Sequence, residues 1–324
     1  TVRREPIKAT VLKFPSLPRP TFRRTQLLTA LALLGGVIIG LLVFVPLGYL
    51  DHFSQVARPL RVAKDYTRGD GAEIASDWRL YQQLKKENQP LKSLSPLRSV
   101  EKQLQSNLML AADNIIEDYR NSSDGTLADF DWAKAQLCLR HALELDPSNA
   151  KAKGELALST GYSNLNKNPT LPEAMLSAIN FKQAESFLPS SPDPHLALAR
   201  LYIYSYRNVG PALAEFQQAE RLGYHLGPRE TEQEADGYLY RTVWDLLRAR
   251  YAVPESAKTK WALLAKADSD RARQLYEPLA GFSNVNLSLD RLYAFQNEPT
   301  QPPAKKARSW QHRRLLASHY LSSR

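Results

Sequence analysis

Residues 131–147 read DWAKAQLCLRHALELDP, and their spacing decides the fold class. Ala135, Leu139 and Ala142 fall on one face of a helix, and Pro147 closes it. Two small residues let a second helix cross closely, and the large one between them fills the groove. The interval recurs three times. Ser177, Phe181, Ala184 and Pro189 repeat it; Ala212, Phe216 and Ala219 repeat it with Tyr224 in place of the proline; Ala272, Tyr276 and Leu279 repeat it loosely.

A second pattern precedes these stretches. His195, Leu198, Ala199 and Tyr202 form one example, and Gln233, Asp236, Gly237 and Tyr240 another. Leu108, Ala111, Ala112 and Ile115 give a weaker version, as does Leu156 with Ala157. Tyr202, Tyr204 and Tyr206 alternate like a strand, but the register keeps them in a helix. Together the two patterns resemble the first and second helices of the tetratricopeptide repeat (TPR) family. The resemblance implies an all-α chain with a degenerate TPR-like helical-hairpin solenoid over residues 104–282. Hairpins are expected at 104–147, 150–189, 192–224 and 228–280, with insertions at 121–130, 163–171 and 251–257.

In that family the first helices line a groove that holds peptides. Carried over, the groove would expose Leu196, Ala197, Arg200, Ile203 and Tyr204, then Glu234, Ala235, Tyr238 and Arg241. Arg200, Tyr204, Tyr238 and Arg241 are the peptide-groove candidates, suited to a carboxylate with apolar anchors. The Lys/Asn carboxylate clamp of the chaperone-binding members is absent, so that particular ligand is not implied.

N-terminal to the repeats, helix formers dominate residues 73–87 and 97–119, within a juxtamembrane connector and helices at 51–103. Ahead of these, residues 27–50 (LLTALALLGGVIIGLLVFVPLGYL) carry no charge. At ~1.5 Å per residue the run exceeds the ~30 Å hydrocarbon core of a bilayer. It is also longer than a signal-peptide core, and a transmembrane helix is expected. Gly36 and Gly40 form a GxxxG match, the candidate helix-contact positions within the bilayer. Residues 1–26 form a basic, proline-containing arm, expected to stay cytoplasmic. At the other end, residues 283–324 are expected to give a polar loop, a short apolar turn and a basic tail suited to contact with anionic lipid.

The net charge of +10 belongs to the two ends. Residues 1–25 hold seven Lys/Arg against Glu5, and residues 301–324 hold six with no acid, which leaves the middle near −2. A reader of phosphates would place that charge on its folded surface, so no nucleic-acid partner is expected. There is one cysteine, Cys138, so no internal disulfide forms. Walker A, GxGxxG, GxSxG and HExxH motifs are missing, and the six histidines lack metal-ligand spacing. No enzyme, cofactor or metal is therefore expected.

The function expected is a membrane-anchored protein-interaction scaffold facing the periplasm from a bacterial inner membrane. It would dock or assemble an envelope complex as a homodimer or a hetero-complex. An accessory, non-catalytic subunit of a membrane enzyme stands beside it. So does a cytosol-facing peptide receptor resembling those of mitochondrial import.

Overall fold

A computed structural model describes residues 24–67, 71–87, 97–123, 126–165 and 169–297. The N-terminal arm up to residue 23 and the basic tail from residue 298 lie outside the described residues. Eleven α-helices follow in order: α1 (Arg24–Ala57), α2 (Gly71–Glu87), α3 (Leu97–Asn121), α4 (Trp132–Leu145), α5 (Ala150–Leu165), α6 (Leu171–Phe187), α7 (Asp193–Tyr204), α8 (Val209–Arg221), α9 (Pro228–Tyr251), α10 (Glu255–Tyr276) and α11 (Ser283–Asn297). Among the described residues there is no strand, only an isolated bridge between Ala280 and Phe282. The chain is all-α.

The chain divides into two compact units, one of residues 1–56 with 93–95 and one of the remainder. In the first, α1 runs on past Leu50 through Asp51 and His52; the 3-10 turn at Arg58–Arg61, with Pro59, belongs to the second. Leu31, Leu33, Leu34, Val37, Ile38, Ile39, Phe44 and Leu47 are all exposed. At about 100° per residue these positions surround the helix, so it has no polar face among them. Among the described residues no helix is long and apolar enough to cross a membrane. Side chains at 27, 28, 30, 41–43, 45 and 46, all within the expected span, fall outside them.

In the second unit, α3 to α10 form four consecutive helix pairs. Each helix packs on the next, and the first helices of successive pairs also touch: α3 on α5, α5 on α7, α7 on α9. Short loops make sequential helices antiparallel neighbours. The loops start the helices through side chains. Asp131 accepts from the Lys134 backbone N–H at 2.9 Å, Asn149 from Ala152 at 3.0 Å, and Glu173 from Thr170 at 2.6 Å. Each satisfies a donor that the first turn leaves open.

The residues at the recurring interval are where the pairs meet. Ala135, Leu139 and Ala142 are fully buried, as are Ser177, Phe181 and Ala184; Ala212, Phe216, Ala219, Ala272 and Tyr276 are at most 2% exposed. Phe181 of α6 presses on Gly161 of α5, where an added Cβ would lie 2.3 Å from the ring. Gly237 of α9 meets Val209 of α8 in the same way, at 2.7 Å. Glycine is required at both because the neighbour is a buried side chain.

Residues 283–297 depart from expectation. They form α11 in place of a polar loop and a short turn. Val285, Leu289 and Leu292 recur at helical spacing and bury against Ala235, Leu239 and Tyr276, so tertiary packing outweighs the polar residues between them. Likewise α10 begins at Glu255, well before the motif at Ala272.

Candidate binding site at the first-helix row

The row of first helices is held together by charged groups at helix ends. Arg120, in the last turn of α3, makes a bidentate pair with Asp193 in the first turn of α7, at 2.7 and 2.5 Å. Arg229, in the first turn of α9 and 5% exposed, donates to the backbone carbonyls of Tyr119 and Arg120. These are carbonyls that the end of α3 cannot satisfy by itself. Arg229 also pairs with Glu230 at 2.5 Å and lies 4.4 Å above the Tyr119 ring. Burial works against its charge, but Tyr119 and Glu230 outweigh that and raise its pKa.

A second joint ties the third pair to the fourth. The Asp236 carboxylate on α9, 1% exposed, accepts from Tyr204 Oη of α7 at 2.7 Å and from Tyr276 Oη of α10 at 2.6 Å. Burial, and then the adjacent Asp236 charge, push both phenols well above their ordinary pKa. Neither phenol ionises at neutral pH, so both remain donors.

Against this frame the four groove candidates separate. Arg200, two turns along α7 from Asp193, lies over the Tyr204 ring at 4.9 Å. Tyr119, Tyr162 and Arg229 are close enough to act on it. It makes no hydrogen bond or ion pair with any described residue, although it is only partly exposed. Arg241 is different: it holds Asp268 of α10 through two contacts, at 2.5 and 2.7 Å, and covers the Tyr238 ring at 5.2 Å. Its carboxylate is already supplied. Tyr204 is committed to Asp236, and Tyr238 packs beside the cluster around Tyr276.

Four other residues expected in the groove are buried: Leu196 at 6%, and Ala197, Ile203 and Ala235 at 0%. Helix α7 is packed by α5, α6, α8 and α9, so it has no wide free face to offer. Arg120, Asp193, Arg229 and Asp236 are the residues that sequence reading missed. Asp236 alone gave a signal, as a carboxylate on a packing position.

Gly36 and Gly40 of α1 would each meet open space if given a Cβ, so both remain accessible positions on that helix. Cys138 is buried, and desolvation pushes its thiol up to about 11, which leaves it protonated and unreactive. His195 pairs with Glu215 at 2.7 Å, and His141 stacks on Trp78 at 3.9 Å. Among the described residues no cluster of His, Cys, Asp or Glu is arranged to hold a metal ion.

No family model matches the chain, and the comparisons with curated proteins and with solved structures return no match either.

Proposed function

We propose that the chain is a membrane-tethered docking module whose TPR-like hairpins receive a carboxylate-bearing segment of a partner protein at Arg200. The observation that carries this reading is the Arg200 guanidinium, partly buried and without a counter-ion among the described residues. A partly desolvated charge is costly unless something completes it, and a carboxylate matches the planar fork of its donors. Tyr204 lends the guanidinium a ring face, which is weaker than an ion pair.

Two further observations support the module. The small-large-small intervals sit at the contacts of four successive pairs, in keeping with a TPR-like solenoid. The uncharged run at residues 27–50 lies in α1, where the exposed side chains Leu31, Leu33, Leu34, Val37, Ile38, Ile39, Phe44 and Leu47 are distributed around the helix, a pattern that suits a lipid surrounding. The heavier cationic flank precedes that run, which favours a cytoplasmic N-terminus and an extracytoplasmic body. Gly36 and Gly40 would then offer a strip for a second helix in the bilayer.

The test is co-purification from native membranes with the full chain, an Arg200→Ala variant and an Arg241→Ala variant. A protein held at fixed stoichiometry should be retained by the wild type and Arg241→Ala and lost with Arg200→Ala. Equal recovery by all three, or no stoichiometric protein in any, refutes the docking reading. Protease added to intact cells stripped of their outer layers should cleave the body, and protection of the body would reverse the orientation.

A further inference from the structure

The far ends of α9 and α10 are unlike the rest of the second unit. No residue from 246 to 264 is buried, although α9 and α10 pack against each other along their length. Every buried position of α9 lies between Arg229 and Asp245, and every one of α10 between Ala265 and Tyr276. The cause is length. α9 has 24 residues and α10 has 22, while α7 and α8 have 12 and 13. The fourth pair therefore outruns the neighbours that would cover it.

A projecting helix pair in water would be expected to carry polar residues. This one carries Trp244, Leu247, Tyr251, Val253, Leu263 and Leu264 exposed, with Val253 at 89% and Tyr251 at 74%. Val253 lies in the short turn joining the two helices, so the most exposed apolar side chain is at the tip. Trp244, Leu247 and Tyr251 fall at i, i+3 and i+7, a single stripe of α9.

Cations stand beside the rings. Arg248 lies 4.8 Å from the Trp261 ring and Lys260 5.6 Å from it, while Arg250 lies 5.7 Å from the Tyr251 ring. The acids of this arm are already engaged: Asp245 is buried and pairs with Arg248 at 3.0 Å, and Glu255 pairs with Lys258 at 2.8 Å. With Arg248, Arg250, Lys258 and Lys260 against Asp245 and Glu255, the arm is net positive.

We infer that the far ends of α9 and α10 form a membrane-contact arm that seats its aromatic tip in the interface of a bilayer containing anionic lipid. The chemistry favours lipid over a protein surface. Protein interfaces deplete lysine at their centre, whereas bilayer interfaces collect Trp and Tyr together with snorkelling Lys and Arg. The arm is a helix-pair end on which no residue from 246 to 264 is buried. A basic, aromatic surface also gains from the negative potential of anionic headgroups. This inference rests on the proposed anchor at residues 27–50, which would keep a bilayer close at hand.

The test uses the full chain with Val253→Cys carrying an environment-sensitive fluorophore; Cys138 is buried and would stay unlabelled. A control carries the label at exposed Gln183→Cys on α6. The chain is reconstituted into phosphatidylcholine vesicles with or without phosphatidylglycerol, some made with brominated acyl chains. The label at 253 should shift to the blue and be quenched by bromine when phosphatidylglycerol is present, and the label at 183 should do neither. Adding Arg250→Glu with Lys260→Glu should abolish the phosphatidylglycerol dependence, and adding Trp244→Ser with Leu263→Ser should abolish the shift.

A label at 253 that behaves like the one at 183 in both vesicles overturns the inference. So does one that leaves water only when other membrane proteins are added, since that assigns the arm to a protein. Resistance to extraction at alkaline pH is read separately. Loss of that resistance refutes the anchor, while an unshifted label on a resistant chain refutes the arm alone.

Discussion

The third and fourth helix pairs share their packing motif and differ in what surrounds it. In α7, nine of twelve residues are buried, because α5, α6, α8 and α9 enclose it. In α9, ten of 24 are buried, and none of them lies beyond Asp245. The small-large-small interval thus produces a core only where a neighbour reaches it. The two pairs also treat their arginines differently. Arg241 faces Asp268 on its own partner helix, whereas Arg200 faces tyrosines. Length decides which part of a pair is surface, and a single carboxylate on α10 decides that Arg241 is paired.

The widest gap between the pairs is expected in stability. Phe216 of α8 is 2% exposed within the cluster formed with Leu196, Ile203 and Tyr240. Phe216→Ala removes a buried ring and leaves a cavity, which costs about 3–5 kcal/mol. Leu263→Ala on α10 should change stability by no more than ~0.5 kcal/mol, since Leu263 is 63% exposed. Urea unfolding of the full chain in detergent measures both. An equal loss in the two variants would mean that the arm of the fourth pair is packed, and the contrast would fail.

A second difference concerns buried carboxylates. Asp236, at the joint of the two pairs, has two tyrosine donors, but Glu155 of α5 has a buried Oε2 without a hydrogen-bond partner among the described residues. Burial raises the Glu155 pKa, the neighbouring Asp113 carboxyl raises it further, and Lys151 opposes them. The folded state then holds its proton more tightly than the unfolded chain. Its contribution is intact at low pH and is lost as pH climbs past the ordinary Glu value of about 4.3 towards the raised one. Glu155→Gln keeps the shape without the charge. Relative to wild type it should gain about 1–3 kcal/mol on going from pH 5 to pH 8, read as the shift in urea midpoint. A variant that tracks the wild type at both values would place Glu155 in water.

The contrast also separates what a sequence carries from what it does not. Ala212, Phe216 and Ala219 announce a packed face because helical spacing is local, and the face fills whichever neighbour arrives. The same spacing exposes the limits of the groove expectation. Leu196, Ala197 and Ile203 read as first-helix surface, yet α7 is enclosed by helices up to two positions away in the chain. Arg229 meets the carbonyl of Tyr119 across 110 residues, a contact that no local pattern encodes. Residues 283–297 were obscured for the opposite reason: their polar residues are local in the sequence, while the α9–α10 surface that recruits Val285 and Leu292 is not.

The smallest expected effect is the one that tests the arginine contrast most directly. Arg241 is 41% exposed and its pair with Asp268 is bidentate, so solvent screens much of the attraction. Arg241→Ala should destabilise the fold by up to ~1 kcal/mol. It also frees Asp268, which is 8% exposed and then lacks its counter-ion. Arg200→Ala removes a charge with no ionic partner among the described residues, so its stability should stay within about 0.5 kcal/mol of wild type. The order reverses for a partner's carboxylate, where Arg200→Ala is the variant that loses the contact. Measured together by urea unfolding and co-purification, the two substitutions should move opposite readouts. If Arg200→Ala instead unfolds the chain, its guanidinium is a structural group, and the site is no longer open to a ligand.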